Sequence, residues 1–260
     1  MNRAAIFVLA LACALCFDVS AQSADSGADS VREAAKFHKS GYDYMAKGDY
    51  SRAIADLDQA IRLNPGVANA YVNRSAAYWH SGDFDRAIDD ANHALRIDSD
   101  MGLAYYMRGS AYYRKGDLDR AIADIDKAIR QGSDYQGMAY YTRGAAYYYR
   151  KDYDRAIADY NEAVRLGIND VTMYVNRAYA YYHKEDYDRT IEDAGLAVRM
   201  DSNAGNAYYI RGSAYYRKGD MGRAIADLEA TLMVDPKNAE AGEMLEKLRR
   251  AQERANTPAK

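Results

Sequence analysis

The chain has 260 residues, with 26 Tyr against 4 Phe, 1 Trp and 3 Pro, and a formal net charge of -3. Both signs of charge are interspersed, which excludes a global field able to draw in nucleic acid or an acidic membrane surface. Scarce proline, abundant tyrosine and many small residues suit helices built from aromatic knobs set against small notches.

Met1 to Ala21 has the parts of a secretory signal: a basic start at Arg3, an apolar run from Ala4 to Phe17 and the small-residue site Val19-Ser20-Ala21. Cleavage is expected after Ala21, giving a periplasmic or secreted protein. The run is short for a bilayer span, and no other segment approaches the roughly 20 apolar residues that a transmembrane helix needs. Both cysteines, Cys13 and Cys16, lie inside this segment, so the mature chain would have no disulfide or thiol chemistry. In a rival reading, Ala10 to Cys13 is a poor version of the bacterial lipoprotein box, with the chain lipid-anchored through Cys13.

Residues 22–33 are small and polar, and read as a flexible linker. Beyond them the chain repeats. The stretch Tyr105 to Asp124, YYMRGSAYYRKGDLDRAIAD, returns as YYIRGSAYYRKGDMGRAIAD at Tyr208 to Asp227. Looser versions fill the rest, and six units follow: 34–67, 68–101, 102–136, 137–170, 171–204 and 205–238. The third has 35 residues and each of the others 34.

Numbered within a unit, position 4 is aromatic (Phe37, Tyr71, Tyr105, Tyr140, Tyr174, Tyr208) and position 8 is small (Gly41, Ser75, Gly109, Gly144, Ala178, Gly212). Position 11 is always Tyr (Tyr44, Tyr78, Tyr112, Tyr147, Tyr181, Tyr215). Spacings of four, three and seven mark one helical face. After a Gly-Asp turn, Asp at position 16 (Asp49, Asp83, Asp117, Asp152, Asp186, Asp220) is placed to cap a second helix. Small residues at positions 20 and 27 let the two helices approach closely. The unit is a helical hairpin.

In this pattern the chain resembles the tetratricopeptide repeat (TPR) family, whose 34-residue unit has an aromatic at 4, Gly at 8, Tyr at 11 and Ala at 20 and 27. The resemblance covers Ala34 to Asn238. It implies an all-α solenoid, a right-handed superhelix of six helical hairpins, with first helices lining a concave groove for extended peptides or partner helices. The chain departs from the family at position 24, aromatic only at Tyr160, and at position 32, Pro only at Pro65 and Pro236. At position 15 Lys151 and Glu185 replace Gly. Residues 239–254 read as a C-terminal capping helix with a polar outer face, and residues 255–260 as a disordered tail.

If the family geometry holds, positions 2, 5, 9, 12 and 13 face the groove. Trp79, Tyr113, Tyr148, Tyr182 and Tyr216 stand at 12, Tyr106, Tyr141 and Tyr209 at 5, and Arg114, Tyr149 and Arg217 at 13. Tyr, Trp and Arg offer large rigid contact area with polar tips, the composition of binding hot spots. The leading expectation is therefore an exported, non-enzymatic scaffold or adaptor that holds a protein or peptide segment, serving envelope assembly or secretion. A carbohydrate-binding envelope protein is the alternative, because aromatic platforms also stack on sugar rings. The two-carboxylate clamp by which some family members hold chaperone tails needs Lys at 5 and Asn at 9, and no unit has that pair.

Position 7 is Arg in every unit but the first, where Ser40 stands, and position 23 is always Asp. Arg at 7 is expected to pair with Asp at 23 of its own or the preceding unit, and Arg at 19 lies one turn from that same Asp. At the joint of units three and four, Gln131 replaces the apolar residue found at position 30 elsewhere, and a looser seam is expected. No catalytic residue, metal or cofactor is expected, since no two of the four histidines have metal-ligand spacing on one helix and no phosphate loop or nucleophile elbow occurs.

Overall fold

In the computed structural model, residues 25–132 and 135–256 are described. Residues 1–24, which include the signal segment, Ser133, Asp134 and residues 257–260 lie outside them. Among the described residues there are thirteen helices and no strand. The first helices are α1 (Asp25–Ala46), α3 (Ala68–His80), α5 (Gly102–Arg114), α7 (Gln136–Tyr149), α9 (Val171–His183) and α11 (Gly205–Arg217). Their second helices are α2 (Tyr50–Leu63), α4 (Phe84–Ile97), α6 (Leu118–Gln131), α8 (Tyr153–Arg165), α10 (Tyr187–Met200) and α12 (Met221–Val234), and α13 (Ala239–Asn256) follows. The chain divides into two compact units, up to Ala146 and from Tyr147.

The hairpin turn is a backbone device. Position 15 sits in the left-handed region, at Gly48, Gly82, Gly116 and Gly219, and also at Lys151 (φ 62) and Glu185 (φ 60). A side chain there costs about 1–2 kcal/mol. The next residue, Asp at 16, caps every second helix, its carboxylate accepting from the backbone N–H of the Arg three residues on. That arginine's Nε donates to the same carboxylate at 2.5–2.6 Å. Its guanidinium lies 4.3–4.6 Å from the ring of the position-11 Tyr. Each turn is thus tied by an Asp, an Arg and a Tyr, which explains the constancy of position 11. Arg at 19 thus turns back to the cap Asp at 16 and not to the Asp at 23 that lies one turn on.

Asp at 23 is instead claimed by Arg at 7 of its own unit. Arg74, Arg108, Arg177 and Arg211 each place Nε and Nη2 on both oxygens of Asp90, Asp124, Asp193 and Asp227, at 2.6–2.8 Å. In the first unit Ser40 Oγ donates to Asp56 at 2.5 Å. The third nitrogen, Nη1, reaches position 25 of the preceding unit: Arg74 to Asp58, Arg108 to Asn92, Arg143 to Asp126 and Arg177 to Asn161. One guanidinium therefore closes its own hairpin and ties it to the previous one.

Inside the hairpin, side-chain volume is traded between positions 8 and 24. Gly41, Gly109 and Gly212 face Leu57, Ile125 and Leu228; a Cβ on Gly41 or Gly109 would come within 2.7 Å of Leu57 or Ile125. Where position 8 carries a side chain, Ser75 or Ala178, position 24 is Ala91 or Ala194. The alanines at 20 and 27 are buried, and Thr190 and Thr231 in their places satisfy their hydroxyls on the carbonyls of Asp186 and Asp227.

One expectation is revised. Helix α1 begins at Asp25, nine residues before the expected start of order, so the described part of the linker is helical. Along its first turns Asp29 pairs with Arg32 and Glu33 with Lys36. The described residues at the joint before α7 are packed. Tyr135 is buried and stacks on Tyr106 with centroids 5.3 Å apart, while Gln136 Nε2 donates to the Ile129 carbonyl at 3.1 Å. A Cβ on Gly102 would meet the Tyr135 hydroxyl at 2.5 Å. Elsewhere position 30 is substantially exposed (Ile97 44%, Met200 41%), so a polar Gln131 forfeits little burial.

Candidate functional site

Positions 12, 13 and 17 assemble an aromatic ladder in each unit. In the first, His80 lies flat on Tyr50 of the preceding hairpin, with centroids 4.8 Å apart and planes 3° apart. Trp79 meets His80 edge-on at 5.0 Å and Phe84 at 6.4 Å. The Arg114 guanidinium then covers Phe84 at 4.9 Å and Trp79 at 5.4 Å. In the second unit the same order runs Tyr153, His183, Tyr182, Tyr187, Arg217. His183 stacks on Tyr153 at 4.6 Å, Tyr182 meets His183 and Tyr187, and Arg217 lies 5.0 Å from Tyr187. The His–Tyr stack at one end and the arginine at the other each join one hairpin to the next, and cation–π contacts of this kind contribute about 0.5–1 kcal/mol at exposed sites.

Trp79, Tyr113 and Arg114 stand together on the first unit, the rings half-buried and the guanidinium exposed, and Tyr141 is half-buried on α7. Tyr106 does not belong to this surface. It is 7% exposed, covered by Tyr135, and its hydroxyl is pushed up by burial. On the second unit Tyr149 is 64% exposed and meets Tyr148 edge-on at 5.5 Å. Tyr209 and Tyr216 are half-buried and pack against the apolar cluster of α12 and α13, with Lys247 Nζ 5.8 Å from the Tyr216 ring. They are therefore shared between the surface and the helix that closes the repeats.

Sequence reasoning left Tyr50, His80, Phe84, Tyr153, Tyr179, His183 and Tyr187 out of the site. The aromatic at position 17, directly after the cap Asp in units one, two, four and five, was the available signal. Burial raises the Tyr148, Tyr179 and Tyr209 hydroxyls, with Glu240 adding to Tyr179 and Tyr209, so these phenols stay protonated. Burial lowers His80 and His183, leaving neutral rings. The surface can stack, donate hydrogen bonds and offer guanidinium edges. Among the described residues no group of three or more His, Cys, Asp or Glu could hold a metal ion, and no helix is long and apolar enough to cross a membrane.

The hairpins define an all-α solenoid of the helix-pair class. The tetratricopeptide repeat model matches residues 38–102, 94–136, 106–171, 141–202 and 175–241, and the chain belongs to that family. Among solved structures it is similar to the Cut9–Hcn1 hetero-tetramer of the APC/C, with a TM-score of 0.70 and 20% identity over 86% of this chain; it spans 45% of that one. It is similar to pilF of Pseudomonas aeruginosa, with a TM-score of 0.73 and 16% identity over 84% of this chain and 99% of the other. YrrB, described as a TPR protein with an unusual peptide-binding site, gives a TM-score of 0.65 and 23% identity over 73% and 97%. These likenesses establish the fold. No curated protein matches the sequence.

Proposed function

We propose that the protein is an exported, non-enzymatic scaffold that binds a protein or peptide segment through the aromatic and arginine surface carried by each of its two units. The observation that carries this reading is the ladder of stacked rings capped by an exposed arginine. It supplies rigid aromatic area already ordered by inter-hairpin stacking, so a partner pays little entropy to engage it. The peptide-binding site named for YrrB and the pilus-biogenesis role named for PilW, another structure of this fold, agree with a role in envelope assembly or secretion. The segment ending at Ala21 supplies the export signal in this reading.

The test is capture from a bacterial envelope extract on the immobilised mature chain, beside variants with Tyr113, Tyr148 and Tyr182 changed to Ala. A protein retained by the native chain and lost from the variants supports the proposal. Retention of glycan alone, lost with the same rings, would establish the carbohydrate-binding alternative instead.

A further inference from the structure

Four inter-hairpin junctions share one hydrogen bond. The position-7 arginine points Nη1 at a side-chain oxygen of position 25 in the preceding hairpin: Arg74 to Asp58 at 2.5 Å, Arg108 to Asn92 at 2.6 Å, Arg143 to Asp126 at 2.5 Å and Arg177 to Asn161 at 2.8 Å. Between α10 and α11 the equivalent residue is Gly195, which has no side chain to offer. Arg211 still holds Asp227 with Nε and Nη2, and among the described residues its Nη1 has no acceptor. A Cβ built on Gly195 would lie 3.5 Å from Arg199 Nη1 and 3.8 Å from Arg211 Nη1. Two guanidinium groups thus converge on the point where every other described junction places an oxygen.

Among the described residues no acid fills that point. Among the described residues Arg199 has no ion pair, and Glu192, one turn before Gly195, bonds neither arginine. The filled counterpart in the first unit shows what surrounds such a point. Asp58, Arg62 and Arg74 line a surface cleft of about 430 Å³ with Asp89 and His93 on its wall, and the Asp58 side chain keeps 41% of its surface exposed. In the last hairpin Asp89 and His93 are replaced by Ala226 and Ala230. Relative to the filled junction, this one lacks the carboxylates of Asp58 and Asp89, has Glu192 where Ala55 stands, and keeps its arginines.

We infer that Gly195, Arg199 and Arg211 form a binding site for a small oxyanion, a carboxylate or phosphate whose oxygen takes the place of the missing position-25 side chain. Arginine's planar fork suits such a group, and one oxygen between two Nη1 atoms makes charge-assisted bonds with both. A ligand held there would join the last two hairpins as Asp58 joins the first two, and would stabilise the fold by mass action.

The experiment is thermal unfolding of the full chain in sodium chloride, sodium acetate and sodium phosphate at equal ionic strength and pH. It compares the native protein with Gly195→Ala, which adds a side chain without an acceptor, and Gly195→Asp, which supplies the oxygen from within. The expected result is a rise in Tm with acetate or phosphate for the native chain and Gly195→Ala. Gly195→Asp should start from a higher Tm in chloride and gain nothing further, and which salt acts identifies the anion. Gly195→Asn, which reproduces the Asn92 and Asn161 junctions, should behave as Gly195→Asp does. An equal rise in all chains, the mark of general salt exclusion, or a rise in none, would overturn the site.

Discussion

Arg108 has all three guanidinium nitrogens engaged: two with Asp124 and one with Asn92 across the junction. Asp124 is buried, so removing the guanidinium leaves a carboxylate with neither water nor partner. Arg108→Leu is expected to cost about 3 kcal/mol, and the double variant Arg108→Leu/Asp124→Leu less than the single one, because the stranded charge goes with its partner. Urea unfolding of the two variants checks this, and a double variant weaker than the single would contradict it. The constancy of Arg and Asp at these positions was plain in the sequence, but their pairing was only partly so. Arg at 19 has an Asp three residues before it and another four residues after it. Which one it takes depends on the cap geometry and on the Tyr44-type ring under it, neither of which spacing reveals.

The exchange of volume between positions 8 and 24 makes each hairpin a fitted pair rather than a uniform repeat. Gly109→Ala would press a methyl against Ile125 and Asp124, costing about 1–3 kcal/mol as overpacking against a gain of about 1 kcal/mol in helix propensity. Ile125→Ala alone opens a cavity and should cost about 2–5 kcal/mol. Together they recreate the Ala178 and Ala194 arrangement, so the double variant should be more stable than the sum of the two by about 1 kcal/mol. Strictly additive losses in chemical denaturation would dismiss the fit. Helix order and hairpin turns were legible because position 16 and the small-residue face recur in every unit. The start of α1 was not, since Ser, Gly and Asp in residues 22–33 read as linker while the charges that extend the helix act only once α1 exists. Nor was the packing at the joint before α7, because Tyr135 lies outside the repeat register and its partner Tyr106 had been assigned to the surface.

The two ladders are the same construction twice, each member of the second standing 103 residues after its counterpart in the first. The chain therefore carries two copies of a three-hairpin block, and its titrating groups recur accordingly. Six cap carboxylates, Asp49, Asp83, Asp117, Asp152, Asp186 and Asp220, are held below the ordinary value of 3.8 by hydrogen bonds from their arginines' side chains and backbones. Their contribution to stability is present above that value and is lost as the pH falls through their folded-state values. Asp90 and Asp193 oppose this, because burial raises them beyond what their arginines offset. His38, His80 and His183 are lowered from 6.5 by burial, the first despite a backbone hydrogen bond to Asn69 and the last with the Lys151 charge adding to the effect. His38 also meets Asn73 at 2.9 Å, and the buried Nδ1 of His80 has no partner. Folding favours their neutral forms, so stability is full above 6.5 and declines as the pH falls below it towards their folded-state values. Tm should accordingly stay level above about pH 7.5, fall as the pH drops below about 6.5, and fall again below about pH 4. In His38→Gln/His80→Phe/His183→Phe the first decline should disappear, with Phe keeping the stacks on Tyr50 and Tyr153, while the second remains. An unchanged first decline in that variant would place the acid-sensitive groups elsewhere.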